Sequence, residues 1–115
     1  MASGRAGYAP VSLDGFCPPD QSRVLEVIDD ERLNVKIEFF CGLAFLHTTF
    51  RRRVESMRAA RAYFPHIKAW LKRMGHYAVF VCIPEGDAML ERFERLFGFS
   101  ECMRAKGHII MYQRT

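Results

Sequence analysis

His47-Thr48-Thr49-Phe50-Arg51-Arg52-Arg53-Val54-Glu55-Ser56 is the stretch on which the fold turns, because the residue pattern changes its period inside it. Upstream, from Val35 to Phe50, β-branched, aromatic and aliphatic residues dominate, which reads as one long strand or two strands broken at Gly42. Downstream, from Val54 to Met74, Ala60, Phe64, Ile67, Ala69, Trp70 and Leu71 fall near one helical stripe, with Arg and Lys filling the other face. Gly75 stops that helix. Pro65 kinks or divides it, since proline removes a backbone donor and crowds the preceding turn. A helix that starts straight after a strand aims unpaired amides and the positive end of its dipole at the junction, and three arginines crowd there. This junction suits an anion.

Working outward, residues 1–21 hold many structure breakers and read as a loosely structured arm, with one short strand around Tyr8 to Leu13. Ser22 to Ile28 reads as a strand ending in the turn-like Asp29-Asp30-Glu31; a helix from Pro19 to Leu33, capped by Asp20, is the alternative. On the other side, Tyr77 to Ile83 is a near-continuous apolar run, the pattern of a strand buried on both faces. Asp87 can cap a helix from Ala88 to Phe97, and Gly98 ends it. Ser100 to Tyr112 reads as a hairpin turning at Lys106-Gly107. Strand, helix, strand, helix, hairpin makes residues 22–115 a single α/β domain with no internal repeat.

Composition agrees. Of 115 residues, 50% are hydrophobic and 26% charged, which fits one globular domain and excludes a disordered or fibrous chain. Cys17, Cys41, Cys82 and Cys102 lie far apart without the paired spacings of zinc sites, so no metal is expected. Cys41 and Cys82 sit in apolar runs and read as buried, reduced thiols. No leader and no apolar stretch of about 20 residues is visible, so the expectation is a cytoplasmic protein without a membrane span. A net charge of +4 would suit nucleic acid or a phosphate-rich ligand equally. On the basic helix, Tyr63, Phe64 and Trp70 lie at core spacing and no reader motif is present, so nucleic acid is not the expected partner.

The block from Leu43 to Phe99 resembles the core of the GNAT superfamily of acyl-CoA-dependent N-acetyltransferases. It has a strand, a pyrophosphate-type turn, a helix ending in Ala69-Trp70-Leu71 and a glycine, the strand Val79-Phe80-Val81-Cys82-Ile83-Pro84, and a helix closing with Gly98-Phe99. Asp87 stands eleven residues before Gly98, where the family often places Asn, and the last strands fit the family's terminal hairpin. The block is about half of the chain. Small phage-encoded members, with a His before the loop and Ile-Pro ending the next strand, are the most similar in appearance.

The resemblance implies a mixed central sheet flanked by helices, here with a shortened N-terminal part, and acetyl-CoA as acyl donor in a wedge between two parallel strands. Pantetheine would pair with the strand at Leu46 and His47, and pyrophosphate would rest on Arg51, Arg52, Arg53, Val54 and Ser56, with Asp87 also on the cofactor side. Within the family's loop pattern Arg51 matches, Ser56 is a small substitute, and Val54 replaces a glycine. Glu94 occupies the position of a Tyr that protonates the leaving thiolate in many members. It could act as that acid only if burial raised its pKa, and otherwise reads as an exposed helix residue paired with an arginine. His47 could accept the amine proton, imidazole being matched to neutral pH. Glu38 is a second base candidate on the same strand run, but its spacing from His47 is odd, so the two are expected on opposite sides.

The implied function is acetyl-CoA-dependent N-acylation of an amine or protein acceptor. The alternative is a catalytically inactive GNAT-like module that binds a host or partner protein. With so short an N-terminal part, a second copy in a homodimer or a partner protein would complete the acceptor wall.

Overall fold

The computed structural model describes residues 23–115, so the arm and the strand expected from Tyr8 to Leu13 lie outside the described residues. The elements are β1 (Arg23–Asp29), β2 (Leu33–Phe40), β3 (Leu43–Phe50), α1 (Arg53–Arg73), β4 (Ala78–Pro84), α2 (Ala88–Leu96), β5 (Ser100–Ala105) and β6 (His108–Arg114). This is the α/β order anticipated, with β1 in place of the alternative helix. The chain divides into two compact units, one running to Ala60 and the other from Arg61 to Thr115. Among the described residues, no helix is long and apolar enough to cross a membrane.

In the first unit the apolar run from Val35 to Phe50 is a hairpin. Cys41 and Gly42, at φ 54° and 78°, reverse the chain between Phe40 and Leu43. Consecutive positive φ values give the backbone twist a two-residue hairpin turn needs. Strands β1, β2 and β3 form an antiparallel ladder in that order. Leu33, Val35 and Ile37 of β2 are buried on one face, opposite Phe50, Thr48 and Leu46 of β3. The other face is more polar and carries Asn34, Lys36 and Glu38 opposite Thr49, Phe45 and His47, with Lys36 facing His47 and Glu38 facing Phe45. Cys41 is disulfide-bonded in the turn, which corrects the reading of it as a reduced core thiol.

In the second unit β6 lies between β4 and β5, and both pairings are antiparallel. Val79, Val81 and Ile83 of β4 are buried together with Ile109 and Met111 of β6. Burial along β4 alternates, and Cys82 is exposed, so the expectation of a strand buried on both faces is corrected. An apolar run fixes neither face, because exposed positions also tolerate Phe or Cys. Helix α1 is continuous over 21 residues with Pro65 inside it, and Leu71 is buried while Ala69 is exposed. Phe64 packs at 6.3 Å and 5.8 Å from the rings of Phe97 and Phe99. Gly98 sits at φ 97° with the Gln113 amide 3.3 Å from where a Cβ would stand, so both conformation and space call for glycine. Gln113 fills that space because its Nε2 donates to the Phe97 carbonyl at 2.8 Å while its Oε1 accepts from Lys68 Nζ at 2.8 Å.

Candidate active site

The end of β3 and the first turn of α1 meet in the first unit, and a buried serine shapes their junction. Ser56 is fully buried; its hydroxyl donates to the Arg32 carbonyl and accepts from the Arg52 amide at 2.8 Å. The Arg51 amide donates to the same Arg32 carbonyl at 2.9 Å, and the Ser56 amide to Arg52 O at 2.6 Å. The next backbone N–H groups, those of Arg53, Val54 and Glu55, find no acceptor among the described residues. They are the unpaired first-turn donors every α-helix presents, here fixed in direction by Ser56.

The arginines at the junction differ in their commitments. Arg51 donates from Nη1 to Asp29 Oδ1 at 2.7 Å and to the Asp30 carbonyl at 2.6 Å. That hydrogen bond, with one from Asn34, holds the Asp29 carboxyl below its ordinary range. Asp30 is lowered as well, first by the backbone N–H groups of Arg32 and Leu33. Arg52 lies 3.9 Å from Glu31 and 3.7 Å from Glu55. Arg53 has no ion pair among the described residues. Val54 is 63% exposed, so its side chain stands at the surface beside the open amides.

Leu46 and His47 alternate across the ladder. Leu46 lies opposite Ile37 on the apolar face, and His47 lies on the polar face, where its Nε2 is 3.0 Å from Glu38 Oε1. The expectation that Glu38 and His47 point apart is therefore overturned. Counting along one strand gave the wrong parity. The β2–β3 register pairs residues whose numbers sum to an odd value, as in Glu38 with Phe45, so an even residue of β2 shares a face with odd residues of β3.

Asp87 and Glu94 belong to the second unit. Asp87 caps α2, its Oδ1 accepting from the Leu90 amide at 3.0 Å. Glu94 is half-buried and has no ion pair or side-chain hydrogen bond among the described residues, because Arg95 turns to Glu91 at 2.9 Å instead. Burial pushes the Glu94 carboxyl up to about 7. Among the described residues no arginine pairs with Glu94, which differs from the arginine-paired surface glutamate that the sequence also allowed.

Sequence reasoning missed the Glu38 contact, the structural use of Ser56 and the bond between Arg51 and Asp29. Only the Glu38 contact had a usable signal, in the hairpin parity.

The backbone resembles two solved acetyltransferase structures. The ribosomal-protein-S18-alanine N-acetyltransferase from Escherichia coli overlays 82% of this chain and 69% of its own at a TM-score of 0.57 and 14% identity. A putative acetyltransferase from Agrobacterium tumefaciens overlays 82% and 76% at a TM-score of 0.52 and 16% identity. The chain has the GNAT fold. No protein-family model and no curated protein matches the sequence. Likeness to the GNAT fold at such identities lives in the backbone, and chemistry has to be argued from this chain's own side chains.

Proposed function

We propose that the chain is an N-acyltransferase that takes an acyl group from acetyl-CoA and passes it to an amine, on a small molecule or on a protein. The observation that carries this reading is the open first turn of α1. The free amides of Arg53, Val54 and Glu55 follow directly on a strand in a GNAT-type backbone, and Ser56 locks them from below. Helix amides so oriented bind phosphate oxygens without side-chain help, and the unpaired Arg53 adds a charge-assisted contact.

In this reading β3 around Leu46 and His47 lines the acyl arm, and His47 takes the proton lost by the attacking amine. Glu94, held protonated near neutral pH by its burial, gives a proton to the departing thiolate. The amine nitrogen bonds to the thioester carbon and loses its proton, and the carbon–sulfur bond breaks as the departing thiolate gains one. Arg51 and Arg52 are engaged with carboxylates and shape the turn more than they bind.

Calorimetric titration with acetyl-CoA, followed by CoA-release assays on a panel of amines and on cell lysate, tests the proposal. Binding in the micromolar range with amine-dependent CoA release is expected. Absence of binding at millimolar acetyl-CoA would overturn it in favour of an inert GNAT-like module that binds a partner protein, a reading favoured by the compensated arginines and by Val54 in a glycine's place.

A further inference from the structure

We propose that Gln113 is the positioning residue for Glu94: from β6 it ties down the last turn of α2 and so holds the Glu94 carboxyl in one place. This inference rests on the acyltransferase reading above. The turn has the pattern of a helix closed by a glycine. Gly98, at φ 97°, donates its amide to the Arg95 carbonyl at 3.0 Å, and the Phe99 amide donates to the Glu94 carbonyl at 3.0 Å. The backbone of Glu94 is thus part of the closing turn. A helix that ends this way commonly packs an apolar side chain, from the position of Glu94 or the one before it, on the residue after the glycine. That residue is Phe99, which is buried. Glu94 therefore carries a carboxyl where an apolar group is usual, in keeping with its withdrawal from water.

Gln113 fixes this turn from outside the helix. The Phe97 carbonyl belongs to the capping residue after Leu96, and it takes its hydrogen bond from Gln113 Nε2 at 2.8 Å. The amide cannot turn over, because a carbonyl only accepts and the ammonium of Lys68, 2.8 Å from Oε1, only donates. One side chain therefore joins α1 through Lys68, α2 through Phe97 and its own strand β6. Gly98 admits it, since the Gln113 amide lies 3.3 Å from the place of a Cβ there. The charged side chains around the turn have other commitments. Arg95 lies 2.9 Å from Glu91 and 3.7 Å from Glu101, Arg104 lies 2.9 Å from Glu101 and 3.2 Å from Glu85, and Arg61 stands 5.7 Å over the Phe97 ring. None of them pairs with Glu94 among the described residues, so the place of that carboxyl follows from the turn that carries it.

The test compares Gln113→Leu, which fills the space over Gly98 but loses both hydrogen bonds, with Lys68→Met, which leaves the bond to Phe97 and removes the group that orients the amide. Carbon NMR of the Glu94 carboxyl should show a titration midpoint of about 7 in the wild-type protein. That midpoint should fall by about one pH unit, toward the ordinary carboxylate range, in Gln113→Leu and by less in Lys68→Met. In CoA-release assays the alkaline limb of kcat should move to lower pH with it. Above neutrality kcat should drop about tenfold in Gln113→Leu while KM for acetyl-CoA stays nearly unchanged. A merely structural glutamine would lower the melting temperature and leave the limb where it is. A Glu94 midpoint unmoved in both variants overturns the positioning, whether or not the chain is an enzyme. A moved midpoint with an unmoved limb overturns the role in catalysis. Should Gln113→Leu fail to fold, Lys68→Met carries the comparison, since it leaves β6 intact. A wild-type protein that neither binds acetyl-CoA nor releases CoA brings down the acyltransferase reading, and the role in catalysis with it, while the carboxyl titration still reports on the tie between Gln113 and the turn.

Discussion

Glu94 differs from the other carboxylates of its helix in being withdrawn from water without a partner, and its protonation links stability to activity. Its carboxyl stands at about 7 in the folded chain against an ordinary 4.5, so between those values the folded state holds a proton that the unfolded state has released. Its contribution to stability is therefore fully present below about 4.5 and is lost as pH rises through about 7. Glu94→Gln should be more stable than wild type near pH 8 by about 1–3 kcal/mol, after allowance for partial exposure, and no more stable near pH 4, as read from urea midpoints. The same proton should set the alkaline limb of kcat near neutrality. Glu94→Gln should abolish that limb and lower kcat with KM for acetyl-CoA nearly unchanged; superimposable profiles for the two proteins would remove Glu94 as the acid. Ser56 acts differently, by holding backbone in place. Ser56→Ala leaves the Arg52 amide and the Arg32 carbonyl without their buried hydroxyl partner, which should cost about 1–3 kcal/mol of stability. Acetyl-CoA affinity should weaken with it although the Ser56 side chain is fully buried, and calorimetry on the folded mutant checks this.

At the scale of the element, helix α1 carries its own defect. Pro65 has no N–H to give the Arg61 carbonyl one turn earlier, and its ring is exposed, so little packing repays the loss. Pro65→Ala should raise stability by about 1–2 kcal/mol in urea unfolding; a loss would mean that the ring is held by contacts the helix needs. Elements of this length were legible because their periods are strong: α1 and α2 follow from apolar spacing and from Asp87 and Gly98, and the last hairpin follows from Lys106-Gly107. What a period cannot carry is a relation between two strands. The shared face of Glu38 and His47 depends on a turn of two residues at Cys41-Gly42, and a turn with an odd number of residues would have reversed the parity. Likewise the alternating burial of β4 depends on which face its neighbours cover, and Phe80 and Cys82 look the same in sequence on either side.

At the scale of the whole molecule, a chain whose sequence matches no family model still has a GNAT backbone, because apolar period and turn residues specify a fold that many sequences satisfy. The basic junction was legible as an anion site, but not its internal neutralisation. Pairing of Leu33 with Phe50 brings the Asp29-Asp30-Glu31 turn, some twenty residues earlier, beside Arg51 and Arg52, and no local pattern announces that. The net charge of +4 therefore overstates what the junction offers an anion, since Arg53 is the arginine there without an ion pair among the described residues. This division of labour predicts opposite responses. Arg53→Ala should weaken acetyl-CoA binding about tenfold and flatten its salt dependence, with little change in melting temperature, because an exposed charge contributes to an anion contact but hardly to the fold. Arg51→Ala should lower the melting temperature, by freeing Asp29 and the Asp30 carbonyl, while leaving much of the affinity intact. Calorimetry at low and high salt beside thermal melts separates the two. If Arg51→Ala instead abolishes binding while Arg53→Ala is silent, the ligand displaces Asp29 from its arginine, and phosphate is held at the tip of the β1–β2 turn and not on the first turn of α1.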